Sequence, residues 1–256
     1  MFYRLFLSTC FVITAAAFSD AGDLHARTES VSPFAREAAP HSCDSLSTQR
    51  HWDAIDDTGM LEFDMVYTGE VFSNARGGLS TKNATRYQGL LDARLIADLS
   101  RTCIPLPGQL VILGQTTHGR GITESFVGDT QVLSNIDSFS NIAQVSEYYL
   151  KLDFFDGIAE IRLGKQDLNN QFFVVDRASD FIQSTFGLSP STAFPTYPNP
   201  SFGLSASIAL GDAWTIRAGV WDAFASGSSW GFSGNDSILA IGELERDYSL
   251  WLFGRR

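Results

Sequence analysis

Gln88-Gly-Leu-Leu-Asp-Ala-Arg-Leu-Ile-Ala-Asp-Leu99 alternates with a period of two. Gly89, Leu91, Ala93, Leu95, Ala97 and Leu99 share one face, opposed by Gln88, Asp92, Arg94 and Asp98. Successive side chains of a strand point to opposite sides, so this strand separates an apolar phase from a polar one. The span is about eleven residues, the length of a tilted membrane strand. A strand of a soluble sandwich averages about five or six.

The same alternation recurs on both sides. Upstream, Leu61, Phe63, Met65, Tyr67 and Val71 oppose Glu62, Asp64, Thr68 and Glu70. Downstream, Pro105 and Pro107 close the strand with a turn, and Gln109 to Thr117 forms a third, less regular strand. Tyr148, Leu150, Leu152 and Phe154 then oppose Glu147, Tyr149, Lys151 and Asp153, and Phe155-Asp156-Gly157 fits a tight hairpin turn. Ala159, Ile161 and Leu163 oppose Glu160 and Arg162. Leu204 to Leu210, Trp214 to Val220 and Ile238 to Glu245 repeat the pattern, for about eight strands.

Connections alternate between short and long. His118 to Ser146 and Lys165 to Pro200 are long, with short helices expected around Gly128 to Leu133 and Phe173 to Thr185. Structureless stretches of this length are unusual inside compact soluble domains. They are normal on the outer side of transmembrane barrels, whose inner turns are short. Tyr67, Phe72, Tyr148, Phe154, Trp214 and Trp221 lie near strand ends, where aromatic girdles sit. On the polar faces the pairs expected are Asp92 with Arg94, Glu147 with Lys151, and Glu160 with Arg162.

Composition narrows the alternatives. With 44% hydrophobic and 18% charged residues the chain is neither a disordered tail nor a helical membrane protein. Its 20 Phe and 22 Gly against 3 Met suit a strand-rich exported protein. The net charge of −11 argues against a nucleic-acid partner, which calls for a basic face.

The N-terminus reads as an export signal over residues 1–21: Arg4, an apolar run from Leu5 to Phe18, then Ser19-Asp20-Ala21 for cleavage. Residues 22–58 form an irregular periplasmic lead-in, and 59–256 the barrel region. Cleavage leaves Cys43 and Cys103. An oxidising compartment permits a disulfide between them, and two unpaired thiols is the equally weighted alternative. His25, His41, His51 and His118 are too scattered for a metal cluster, and no P-loop, CxxC or dinucleotide fingerprint is present. No cofactor and no catalytic group is expected.

Several stretches together resemble the carbohydrate-selective porins of the OprB type. They are Val127-Gly-Asp-Thr-Gln-Val-Leu-Ser-Asn-Ile-Asp137, Glu147-Tyr-Tyr-Leu150, Ile161-Arg-Leu-Gly-Lys-Gln-Asp167 and Gly211-Asp-Ala-Trp-Thr-Ile-Arg-Ala-Gly-Val-Trp-Asp222. Phe63 to Asn74 is similar to the family's first strand. The resemblance implies an all-β antiparallel transmembrane barrel of roughly sixteen strands, within the range of bacterial outer-membrane barrels. About half of it is expected in this chain, which ends Phe253-Gly-Arg-Arg256 without the family's terminal aromatic strand. A half-sheet exposes an edge that lipid cannot satisfy. The expectation is therefore a fragment, a remnant, or a chain that assembles with another copy.

The resemblance implies passive diffusion of sugars across the bacterial outer membrane, with lipid as the other partner. Lumen-facing Arg94, Lys151, Arg162 and Arg217 would donate to sugar hydroxyls, Asp92, Glu147 and Glu160 would accept, and Tyr149 would offer a ring for stacking. The rival from another class is a secreted soluble β-protein that binds or hydrolyses carbohydrate. A glycosidase places two carboxylates across a bond, whereas the acids here lie at strand spacing along polar faces.

Overall fold

The computed structural model describes residues 11–13, 59–102, 105–175, 181–184, 194–211, 213–223, 226–232 and 237–246. Among them, one antiparallel sheet holds nine strands in sequence order. These are β1 (Phe11–Ile13), β2 (Leu61–Ser73), β3 (Thr85–Asp98), β4 (Gly108–Gly119), β5 (Ala143–Phe154), β6 (Ala159–Gln166), β7 (Ser201–Leu210), β8 (Trp214–Asp222) and β9 (Ile238–Arg246). The sheet is open, and each strand pairs only with its sequence neighbours. β2 and β3 run 13 and 14 residues, about twice a typical soluble strand.

β1 lies within the expected export signal and pairs three positions with Gly69 to Val71 of β2. The rest of that signal, the lead-in, Cys43, Cys103 and the apolar end Leu250 to Phe253 lie outside the described residues.

Local chemistry sets the turns. Asp98 caps a short 3-10 turn (Leu99–Arg101), its Oδ1 accepting the Ser100 N–H at 2.9 Å. In the β5–β6 hairpin, Phe155 and Asp156 adopt φ of 55° and 56°, the left-handed backbone that tight hairpins demand. The strands reach further into the long connections than periodicity suggested: β5 begins at Ala143, and β6 continues through Lys165 to Gln166. The helix expected over Gly128 to Leu133 does not form; a π-helical turn over Thr123–Val127 precedes that stretch, with Gly128 as its left-handed C-cap. In the described part of Phe173 to Thr185, Ser184 alone is helical, in 3-10 form; a 3-10 turn at Leu168–Asn170 precedes the stretch.

Register places the two faces. Asp64, Arg94, Leu113 and Glu147 sit side by side across β2 to β5 on what we call the inner face. Glu160, Ser207, Arg217 and Glu243 form the corresponding row across β6 to β9. The outer face carries the aliphatic alternates and leaves them open: Phe63 is 63% exposed, Leu204 45%, Ile216 44% and Leu244 62%. That is an inside-out arrangement for a water-soluble protein, which buries such side chains.

Buried apolar residues collect instead where connections fold against the inner face. Phe72, Ala84, Ile122 and Phe126 form one cluster, and Leu168, Phe172 and Trp221 another. Phe72 and Trp221 are therefore packing residues and not girdle aromatics, because their strand parity turns them inward. The Trp221 indole lies against the backbone at Gly203 and Gly219, where a Cβ would collide with its ring, and it meets Phe172 edge-on at 5.4 Å. The glycines let a large ring lie flat on the sheet; Phe172 then pins the incoming turn onto it.

Candidate functional site

Two hollows open on the inner face. The first, of about 430 Å³, is walled by β2 to β5 and roofed by residues of the inward-folded connections: Asn135, Asp167, Asn170, Tyr197 and Pro200. The second, of about 560 Å³, lies over β6 to β9 between Glu160, Arg162, Ser207, Arg217, Glu243 and Glu245. Asn170 borders both, so the turn at Leu168–Asn170 divides them.

A β-bulge shapes the first hollow. Leu113 pairs with Glu147 but Gly114 with Val145, leaving Ser146 as an extra residue. Ser146 and Glu147 thus both line the hollow although they are consecutive. Gly164, at φ 141°, lets β6 approach Tyr149 where a Cβ would meet the backbone of β5.

Polar groups in the first hollow are held by specific partners. Arg94 Nη2 lies 3.1 Å from Asp64 Oδ2, and Gln115 Nε2 donates to Asp92 Oδ1 at 2.7 Å. Both members of the Arg94–Asp64 pair are nearly half exposed, so it contributes less than about 1 kcal/mol. Glu147 is buried and accepts from Asn170 Nδ2 and from the Asp167 N–H, each at 3.2 Å. The Asp167 carboxylate in turn accepts the N–H groups of Asn169 and Tyr197, both at 2.8 Å. Burial pushes the Asp167 pKa above the usual carboxylate range, against the opposing pull of these bonds and of Thr196.

The second hollow carries a ladder of ion pairs. Arg162 Nε meets Glu160 Oε1 at 2.6 Å, and Lys151 Nζ sits 3.3 Å from both Glu160 and Asp153. Arg217 Nη1 bridges Glu243 at 2.9 Å and Glu245 at 2.5 Å. The Arg162 guanidinium lies 5.6 Å from the centre of the Tyr149 ring, linking the two hollows.

The residues singled out from sequence divide between these spaces. Asp92, Arg94, Glu147 and Tyr149 line the first hollow; Glu160, Arg162 and Arg217 line the second, and Lys151 stands beside it through Glu160. The expected Glu160–Arg162 pair forms. Two expected pairs do not. Arg94 bridges to Asp64, which faces it on β2, and Lys151 reaches along β5 to Asp153 and diagonally across the hairpin to Glu160. Asp64 and Glu245 stood on the polar faces without being nominated, while Asp167, Asn170 and Tyr197 come from connections with no period to mark them. No three His, Cys, Asp or Glu side chains among the described residues are grouped to hold a metal ion.

Long antiparallel strands with an apolar outer face and a charged, hollowed inner face define a porin-like transmembrane β-barrel wall. The family model described as "Carbohydrate-selective porin, OprB family" matches residues 82–254, and the chain belongs to that family. Among solved structures it is similar to a high-pH structure of Pseudomonas putida OprB, with a TM-score of 0.60 and 16% identity. That likeness covers 74% of this chain and 47% of the other, so this chain spans about half the length of that protein. No curated protein matches the sequence.

Proposed function

We propose that this chain forms part of the wall of an outer-membrane pore for passive, carbohydrate-selective diffusion. Location in the bacterial outer membrane rests on family membership. One observation carries the reading: the same strands expose aliphatic side chains on one face and line open hollows with charges of both signs on the other. Exposed to water, the outer wall would cost about 25 cal/mol for each Å² of apolar surface; against hydrocarbon it costs nothing. The long connections then lie outside the cell and the short turns face the periplasm.

Sugars pass by exchanging water hydrogen bonds for brief bonds to the wall. Arg94, Lys151, Arg162 and Arg217 donate to hydroxyls; Asp92, Glu147 and Glu160 accept. Tyr149, beside Arg162, offers a ring face to a pyranose. Pre-paired charges hold each other part-satisfied, so a passing sugar gains little by staying and leaves again. No step makes or breaks a covalent bond, and the family is one of channels, not enzymes.

Export by cleavage after Ala21 would remove β1 and free the β2 edge at Gly69 to Val71. That edge and the edge of β9 need strand partners before the sheet can stand in lipid. Further chain or a second copy would supply them. The test is gel migration of the protein extracted from outer membranes in detergent, with and without boiling. A faster-running unboiled band supports a closed barrel. Extraction by buffer alone, with identical migration, would support the soluble carbohydrate-binding alternative.

A further inference from the structure

Lys165 breaks the rule of the outer face. Tyr148, Lys165 and Phe202 are paired in one row across β5, β6 and β7, with the opposite parity to Tyr149, Gly164 and Gly203 on the inner side. A lysine is thus set in the apolar wall, directly beside a row of Leu150, Leu163 and Leu204. It is only 2% exposed, and residues 226–232 of the β8–β9 connection lie against its row through Gly227, Trp230 and Phe232. Lys165 Nζ donates to Val145 O at 2.8 Å and also to Gly227 O of that connection. Two aromatic contacts flank the bond. Trp230 stacks on Tyr148 at 5.4 Å, where the Tyr148 hydroxyl donates to Trp230 O at 2.5 Å, and Phe232 packs on Phe202 at 5.2 Å.

The far sides of these rings are open: Trp230 is 71% exposed and Phe232 61%. They continue the aliphatic wall at the end of the sheet that carries the long connections. Where a membrane barrel meets its interface, Trp and other aromatics are the residues that concentrate. A cation in such a wall must find its hydrogen bonds within the protein, and two carbonyls supply them here.

We propose that residues 226–232 of the β8–β9 connection are an external membrane anchor: pinned to the outer wall by Lys165, this segment seats Trp230 and Phe232 in the headgroup region of the outer lipid leaflet. This rests on the barrel reading above, and the occupant follows from continuity with that barrel's lipid-facing wall.

The test is tryptophan emission from the full chain in phosphatidylcholine vesicles whose acyl chains are brominated close to the headgroup. It compares wild type, Trp230→Phe and Lys165→Met. The anchor predicts that Trp230→Phe removes a distinct share of the bromine quenching. It also predicts that Lys165→Met keeps the heat-modifiable band while losing that share and gaining quenching by aqueous iodide. A folded wild type whose Trp230 signal is quenched by iodide and not by brominated lipid overturns the anchor and leaves the barrel standing. Cross-linking of Trp230 to a second copy would also overturn it, since a protein surface would then occupy the place of lipid. A wild type with no heat-modifiable form overturns the barrel reading first and the anchor with it.

Discussion

Asn170 donates its side-chain amide to Glu147 Oε1 at 3.2 Å, and this bond ties the inward-folded turn to the wall between the two hollows. Because Asn170 borders both spaces, whatever loosens the bond joins them. A typical side-chain hydrogen bond contributes about 0.5–1.5 kcal/mol. Asn170→Ala should therefore admit larger solutes: proteoliposome swelling with a disaccharide should rise several-fold with the folded band intact. Unchanged swelling would detach the turn from any role in setting the passage.

Trp221 holds the same turn from below through Phe172 and Leu168. Replacing a fully buried indole by alanine costs about 3–5 kcal/mol. Trp221→Ala should lower the temperature at which the folded gel band converts to the unfolded one. Trp214, on the outer face, is the control, and Trp214→Ala should shift that temperature much less.

Arg162 is bonded to Glu160 and leans on Tyr149, so it balances charge where the hollows meet. Arg162→Glu changes the local charge by two units beside an existing acid. With each unit worth on the order of 1 kcal/mol across water at contact distance, the cation-to-anion permeability ratio should rise several-fold. Reversal potentials in planar bilayers measure this directly. An unchanged ratio would remove Arg162 from the solute path.

Tyr197 donates its hydroxyl to Ile136 O at 2.8 Å, joining two of the inward-folded connections. Burial pushes its pKa up to about 12 from the ordinary phenolic value. A raised pKa means the folded state binds its proton more tightly than the unfolded one. The stability it contributes is therefore complete below about pH 10 and lost as pH rises towards 12. Wild type should lose thermal stability across that window faster than Tyr197→Phe. Parallel curves would contradict the assignment.

The wall was legible in the sequence because strand parity is a strict period of two. Gln88 to Leu99 alone announced its two faces, and the aliphatic set lies outward as a group. The failures share a cause: they depend on pairing, not on period. Arg94 pairs with Asp64 rather than Asp92 because β2 lies beside it. The Ser146 bulge spoils alternation at the position that brings Glu147 into the hollow. Asn170 and Tyr197 enter from the β6–β7 connection, which is held by the Phe172–Trp221 contact and the Asp167 bonds, none of which leaves a periodic mark. Lys165 looked like the start of a loop because a buried lysine breaks an aliphatic pattern that the strand in fact continues.

The most direct test of the central claim is cysteine scanning along β8 in a chain whose native cysteines are replaced by serine, folded in lipid vesicles. A water-soluble thiol reagent should label cysteines at Thr215 and Arg217 and spare those at Ile216, Ala218 and Val220. A lipid-partitioning reagent should give the opposite pattern. Equal labelling of both sets by the aqueous reagent would mean that β8 has water on both sides, and that the chain does not form a membrane wall.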